Sequence, residues 1–421
     1  MSSTITVQNR VANANNFIES ITTNTYLAYG RATTWEPTIE TPNADDTTIP
    51  LAVDTTFAKK QLKQNLLSLK KIDASHAISA IRRIDYATGI VYDQYSCIDT
   101  NLYTKDFYVF TTDKHVYKCL FNNHGETSTI MPTGTSSIIT TADGYIWRYM
   151  FTVNVSDENN FLTSNYIPIR STSQSPIGGQ IFAVNVLAVG TGYSYANVSI
   201  NGSGSGFEAI ANLSSGSIES ITVTSYGSGY DYADIVITGD GNGCIAIAEI
   251  SPENGHGSDL QNELGAFSAI LAPKVSYDES GDFLVNNDFR QISLIKGIMG
   301  YNSSDEYTLA TASATTKIEL TDSSAYSEDA TITLLQDSIE VGTAIIVYND
   351  IANNILHLAN VASPTVTASF TISDGINSDA ILAVNYPDVN VYSGDILFYI
   401  NRVPVNRNIS QSETYKMVFS F

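Results

Sequence analysis

Apolar residues near the amino terminus recur every three or four positions, the spacing that places side chains on one face of a helix. They are Val11, Ala14, Phe17, Ile18 and Ile21. This pattern predicts a helix over 8–21. Tyr26–Arg31 is then predicted to be a short strand, and the proline-containing stretch 33–50 is predicted to be a loop.

A second helix is predicted from Asp54, a residue type that caps helices well, to about Lys71. Ala58, Leu62, Leu66 and Leu69 would line its apolar face. The same stretch holds the concentrated basic patch of the chain, which consists of Lys59, Lys60, Lys63, Lys70 and Lys71. Either this patch is a solvated helix face, or it docks an acidic partner.

Strand patterns dominate from Ile78 onward, with β-branched and aromatic runs between glycines. The runs before residue 180 are Phe107–Phe110, Val116–Phe121 and Tyr145–Val155. Those in 304–391 are Lys317–Leu320, Thr331–Leu335, Ala344–Tyr348 and Ile355–Leu358. The close spacing of the second group predicts a small barrel or sandwich.

Residues 181–250 contain an internal repeat. Gly190-Thr191-Gly192-Tyr193 recurs 37 residues later as Gly227-Ser228-Gly229-Tyr230, and the register holds through the following strands. Each copy has the pattern of strand, tight turn, strand, glycine-rich turn and strand. One copy is too short to close a core, so we expect the two copies to pack on each other or on the parent domain. At least one glycine of each G-x-G is expected to have a positive φ.

The composition limits the function. A chain of 421 residues predicts two or three domains. The net charge of −22 argues against a nucleic-acid surface and against binding to anionic lipid. The three cysteines are scattered and odd in number, which favours a reducing cytosol over a disulfide framework. No signal peptide or membrane-spanning stretch is predicted.

Motifs for catalysis, cofactors or metals do not emerge from the sequence. The five histidines are isolated, and the usual zinc, phosphate-loop and nucleophile-elbow spacings are missing. The Gly239–Gly243 loop fails the calcium pattern, and its repeat partner Gly202–Gly206 has no carboxylate. We therefore predict no cofactor, no metal, no small-molecule substrate and no enzymatic activity. The 43 acids leave a glycosidase-type carboxylate pair open.

The carboxy-terminal sequence carries a family resemblance. Its order is Ser393-Gly394-Asp395, an apolar run, Asn401-Arg402-Val403-Pro404, Gln411-Ser412-Glu413, and a strand ending in Phe421. This order resembles the end of a baseplate wedge protein from contractile-tailed, T-even-like bacteriophages. In that family an S-G-D/E motif precedes N-R-x-P, and a terminal phenylalanine follows.

Four further segments resemble the same family in the same order. They are Gly30-Arg31 with Trp35; Arg83 within Ile81–Tyr86; Gly144-Tyr145 with Trp147; and Arg290-Gln291 within Asp288–Ile295. From the residues alone, Trp35, Trp147 and Phe289 are expected to be core anchors, and Arg31 and Arg290 to pair with acids.

The resemblance implies a mainly β fold with a β-sandwich-like core and a few helices. It covers 1–180, 256–303 and 392–421. It leaves 181–255 and 304–391 as two inserted β domains, one with the Gly/Tyr repeat and one a small barrel or sandwich. It further implies a non-catalytic homodimer in the virion tail baseplate that binds other wedge proteins and is made and assembled in the bacterial host cytoplasm. The alternative, which the repeat favours, is a receptor- or glycan-binding virion module.

Overall fold

The computed structural model describes residues 4–37, 41–171, 176–277, 279–285, 287–362 and 365–421. Its described residues form 28 strands and four α-helices, so the prediction of a mainly β fold is confirmed. The helices are α1 (Val7–Asn24), α2 (Thr56–Gln64), α3 (Val155–Phe161) and α4 (Leu260–Leu264).

The strands are numbered in chain order. Those before the repeat are β1 (Thr25–Gly30), β2 (Leu66–Ile72), β3 (Ala77–Arg82), β4 (Tyr108–Phe110), β5 (His115–Phe121), β6 (Ile138–Thr140), β7 (Ile146–Thr152) and β8 (Tyr166–Ile169). Those of the repeat are β9 (Ile181–Thr191), β10 (Ala196–Gly202), β11 (Ser205–Ser214), β12 (Ser217–Ser228), β13 (Ala233–Gly239) and β14 (Asn242–Ile250). The rest are β15 (Ser268–Leu271), β16 (Lys274–Val275), β17 (Asn287–Lys296), β18 (Thr311–Ser313), β19 (Thr316–Glu319), β20 (Thr331–Gln336), β21 (Ile339–Asp350), β22 (Ile355–Ala362), β23 (Thr371–Ser373), β24 (Ser378–Ala380), β25 (Ala383–Asn385), β26 (Asp395–Arg407), β27 (Glu413–Thr414) and β28 (Met417–Ser420).

The chain divides into two compact units. Unit 1 comprises the residues up to Asn16, Ile78–Ile270 and Val418–Phe421, and unit 2 comprises Phe17–Ala77 and Leu271–Met417. This division does not test the predicted arrangement of a parent domain with two insertions, which stays a prediction.

Unit 1 holds two four-stranded sheets and a closed barrel. The sheet orders are β28-β15-β3-β8 and β4-β5-β7-β6, and the barrel order is β10-β11-β12-β9-β14-β13. The main core lies on the second sheet, where Tyr145, Trp147 and Met150 are fully buried.

The barrel explains the repeat. Strand β11 of the first copy pairs with β12 of the second, and β14 of the second pairs with β9 of the first. Val198 pairs with Ile237, and Ile200 pairs with Ile235. Because Ile235 and Ile237 are the repeat equivalents of Val198 and Ile200, exchanging the two copies turns one pair into the other. The two copies are thus related by a pseudo-twofold axis and close each other's core, as predicted.

Unit 2 is built on a five-stranded sheet in the order β18-β2-β1-β17-β26. Strands of 304–391 form a seven-stranded sheet in the order β24-β23-β20-β21-β22-β19-β25, with its own buried core that includes Ile332, Leu334 and Leu358. All four strand predictions in this stretch are confirmed, although β18 joins the other sheet.

The predicted helix over 54–71 is wrong in its second half. Helix α2 stops at Gln64, and Leu66–Ile72 is strand β2, antiparallel to β1. Its cap is Thr55, whose hydroxyl accepts the Ala58 N–H at 3.2 Å, rather than Asp54. Leu62 on the helix and Leu66 and Leu69 on the strand enter one core, so the apolar spacing fitted either structure.

The alternation of Met417, Phe419 and Phe421 with Lys416, Val418 and Ser420 predicts a strand with one apolar face, paired close to the Phe289–Ile295 strand. The predicted pairing is wrong. Strand β26 occupies that place, pairing with β17, while β28 lies at the edge of another sheet beside β15. The predicted alternation is confirmed, since Met417 and Phe419 are half-buried and Val418 and Ser420 are exposed. Part of the predicted 33–50 loop, residues 38–40, lies outside the described residues.

Candidate functional site

Three resemblance motifs of unit 2 meet where the chain after β1 folds over β17 and β26. We call this the loop junction, and it contains Arg31, Trp35, Asp46, Arg290, Gln291, Asn401 and Arg402. Arg290 lies in β17 with its side chain buried. Its Nε and Nη2 donate to the two oxygens of Asp46, each at 2.8 Å, and its Nη1 donates to the Ala32 carbonyl.

The Arg290 pair sets the charge of the junction. The hydrogen bond from Arg290 is the largest of the effects that lower the pKa of Asp46 below its ordinary value. Burial by itself lowers the pKa of Arg290, but the bonds to Asp46 outweigh it and leave that pKa raised. The expectation that Arg290 pairs with an acid is confirmed.

The tryptophan of the junction anchors the loop to β26. Trp35 donates from Nε1 to the Arg402 carbonyl at 2.9 Å, and the Arg31 guanidinium lies 4.5 Å from the centre of its ring. Arg31 has a positive φ of 57° and donates to the Thr34 carbonyl, and none of the described acids forms the ion pair expected for it. Burial is the main cause that lowers the pKa of Arg31.

Two amides complete the junction. The Gln291 Nε2 donates to Asn401 Oδ1 at 3.0 Å, and the Asn401 Nδ2 donates to the Pro50 carbonyl at 2.9 Å. At Gly30 a Cβ would lie 3.1 Å from the Asn65 carbonyl oxygen, which also accepts the Arg31 N–H at 2.8 Å. The glycine therefore permits the close approach of two backbones.

The motif residues of unit 1 form a second cluster around Asp143. Its Oδ2 accepts the Thr129 and Ile130 N–H groups at 2.7 and 2.9 Å. Gly144 turns the chain with φ of 85°, and the Tyr145 ring stacks on Trp147 with centroids 5.4 Å apart. Burial tends to raise the pKa of Asp143, yet its hydrogen bonds lower it below its ordinary value.

The remaining motif residues also serve local packing. Arg83 pairs with Asp85 at 2.9 Å and donates to the Thr163 carbonyl. Phe421 donates its N–H to the Phe267 carbonyl, and its own backbone oxygen accepts Arg10 Nε at 2.8 Å. Gly394 has φ of 70°, and its carbonyl accepts Lys63 Nζ at 2.6 Å.

A buried ionic cluster in unit 1 was missed by the sequence analysis. Lys118 on β5 is fully buried, and its Nζ lies 2.6 Å from Glu263 Oε2 on α4. His256 lies 3.9 Å from the same carboxylate, and Tyr95 packs edge-on against its ring. Burial lowers the pKa values of both Lys118 and His256. The sequence held one signal of this cluster: Lys118 is a charged residue within the otherwise apolar strand Val116–Phe121.

A cavity of unit 2 lies against α2. It has a volume of about 570 Å³ and is lined by Thr56, Lys59, Lys60, Lys63, Gln64, Tyr392, Gly394, Asp395 and Ile396. The predicted basic patch therefore splits, because Lys70 and Lys71 belong to β2 and do not line this cavity.

Within the part of the chain that the structure describes, no group of three or more His, Cys, Asp or Glu side chains could hold a metal ion. No described helix combines the length and the apolar character needed to cross a membrane.

Comparison with known proteins adds no family. No protein-family model matches the chain, and no curated protein matches it.

Proposed function

We propose that this protein is a non-catalytic structural subunit of a phage tail baseplate wedge, acting as a homodimer that joins neighbouring wedge proteins. The observation that carries the proposal is the loop junction. Trp35 and Arg402 are 367 positions apart, and Arg290 and Ala32 are 258 apart, yet hydrogen bonds join each pair. Motif segments that resemble one family in chain order thus also meet in space.

The contacts of the motif residues support a scaffold role. The polar side-chain groups of Arg290, Trp35 and Asn401 donate hydrogen bonds to Asp46 and to backbone carbonyls, which fixes the loop on the sheet. The charge-assisted, bidentate pair between Arg290 and Asp46 is strong and geometrically specific. A subunit that must transmit force between neighbours needs such fixed loops.

Immunogold labelling of purified virions tests the proposal. We expect antibody against this protein to label the plate at the end of the tail, and crosslinked virions to yield peptides that join it to other plate proteins. Label at the outer fibre tips with none at the plate would contradict the wedge assignment.

Label at the fibre tips would instead favour a receptor- or glycan-binding module. One observation supports this alternative. Tyr195 and Tyr232 occupy equivalent positions of the repeat and are 56% and 57% exposed. Exposed tyrosines at repeated positions suit stacking on sugar rings or contact with a protein.

A further inference from the structure

The cavity beside α2 has an unusual charge for this chain. Acids outnumber Lys and Arg by 43 to 21, so a lysine here is expected to find a carboxylate. Lys105, Lys114 and Lys118 do so, at 2.5, 2.8 and 2.6 Å from an acid. The lysines that line the cavity are paired less completely.

Lys63 and Lys60 form no salt bridge with any described carboxylate, although Asp395 lies near enough to act on the pKa of Lys63. Lys63 Nζ donates to the Gly394 and Tyr392 carbonyls, at 2.6 and 3.1 Å. The Lys60 side chain is exposed and forms no hydrogen bond or ion pair with any described residue. Among the described acids, Lys59 pairs with Asp54, whose side chain is 85% exposed. Such a solvent-exposed pair adds little stability and can exchange.

The position of Lys63 favours an incoming negative charge. Burial lowers the pKa of Lys63, although Asp395 acts in the opposite direction. A carboxylate placed in the cavity would stabilise the ammonium form and use the remaining donor of Lys63.

An apolar side chain lies next to the lysines on the same helix. Phe57 is 70% exposed and precedes Lys60 by three positions, so the two share one face of α2. Aromatic residues are enriched in protein contact sites relative to the rest of the surface. The surface therefore offers both a positive cavity and an apolar contact.

We propose that this cavity binds the carboxylates of a short acidic segment of a partner protein, with an apolar residue of that segment against Phe57. This inference rests on the proposed function, since a wedge subunit is held by protein contacts. A long polyanion is disfavoured as the ligand. Its segments outside the cavity would be repelled by a chain with a net charge of −22, and the three lysines act over only a short distance.

A labelled peptide tests the inference on the full chain. The probe is a capped, fluorescein-labelled peptide of sequence EEFEE, with QQFQQ as its neutral match, followed by fluorescence polarisation. We expect EEFEE to bind and QQFQQ not to bind, and added salt to weaken the complex. Lys60→Gln should weaken binding about two- to fivefold, as expected for one partly exposed ion pair. Lys60→Gln with Lys63→Gln should weaken it about tenfold.

The matched control is Lys71→Gln, since Lys71 donates to the Thr308 carbonyl and does not line the cavity. It should leave the affinity unchanged. If Lys63→Gln unfolds the protein, the effect of the exposed Lys60→Gln substitution on peptide affinity tests the inference by itself. Equal binding of both peptides, equal loss with Lys71→Gln, or tighter binding of a twelve-nucleotide oligothymidine would overturn the inference. Plate labelling without peptide binding would overturn this inference alone, and label at the fibre tips would overturn the proposed function alone.

Discussion

Asp46 is a single residue that fixes the position of the loop after β1, which the sequence pattern alone does not determine. It accepts two hydrogen bonds from the buried Arg290 and a third, longer one from the Trp35 N–H at 3.4 Å. Removing the negative charge leaves the buried Arg290 guanidinium with the longer, 3.4 Å pair to Asp288 in place of its bidentate partner, which is costly even when that partner is partly exposed.

We expect Asp46→Asn to lower the free energy of unfolding by about 1–3 kcal/mol at neutral pH. Because the folded pKa of Asp46 is lowered, its stabilisation is present above the unfolded carboxyl pKa and is lost as pH falls through the folded value. The difference between wild type and variant should therefore shrink as pH falls from the unfolded carboxyl pKa, about 3.9, through the lower folded value. Urea unfolding at several pH values measures it.

The control for this prediction is Asp54→Asn, in which an exposed acid loses only its pair with Lys59 at 2.5 Å. It should change the unfolding midpoint little. A constant difference between wild type and Asp46→Asn down to the lowest pH would show that the carboxylate charge is not what stabilises the junction.

At the scale of elements, each G-x-G turn of the barrel contains two glycines that differ in the space around the Cα atom. Gly190, Gly192, Gly227 and Gly229 all have positive φ, between 58° and 81°, so the expectation for the repeat is confirmed. Their surroundings differ. A Cβ on Gly227 would lie 2.8 Å from the Phe207 nitrogen, whereas a Cβ on Gly229 would meet nothing nearer than 3.9 Å.

We expect Gly227→Ala to destabilise the barrel more than Gly229→Ala. Both substitutions add the cost of an L side chain at positive φ, about 1–2 kcal/mol. Only Gly227→Ala adds a clash with backbone atoms, about 1–3 kcal/mol more. Amide hydrogen exchange in β11 and β12 measures the effect locally. The same order is expected for Gly190 and Gly192, and the reverse order in both copies would refute this account of the turn.

At the scale of the molecule, the barrel has its own core and no open sheet edge. Ile181, Ile218, Tyr193 and Tyr230 are buried inside it. Contacts to the rest of unit 1 include the Cys97 N–H donating to Glu249, the Gln94 amide donating to Asn185 and the Phe182 ring near His256. A closed barrel satisfies its backbone groups without neighbours.

We therefore expect excision of 181–250, bridged by a short Gly-Ser linker, to leave a soluble folded protein with a lower melting temperature. The melting temperature falls because the Glu249 and Phe182 contacts are lost. Circular dichroism and calorimetry measure the outcome, with an unrelated surface-loop deletion as control. Loss of any cooperative transition would place the barrel within the main core and contradict the predicted domain division.

Local pattern determined much of this protein. Helix α1, strand β1, the strands of 304–391 and the 37-residue repeat all follow from the spacing of apolar residues and glycines, because that spacing acts within a few residues of chain. Trp147 and Phe289 were recognisable as core anchors from the sequence, and both are buried. Their large apolar rings have few other stable positions.

Tertiary structure decided the rest. The spacing from Leu62 to Leu69 fits both a helix and a strand, and only pairing of β2 with β1 and β18 selected the strand. The alternating β28 could complete any open edge, and only the fold assigned it to β15. The ion pairs Arg290–Asp46 and Lys118–Glu263 join residues 244 and 145 positions apart. Their geometry depends on long-range packing, which no local pattern encodes.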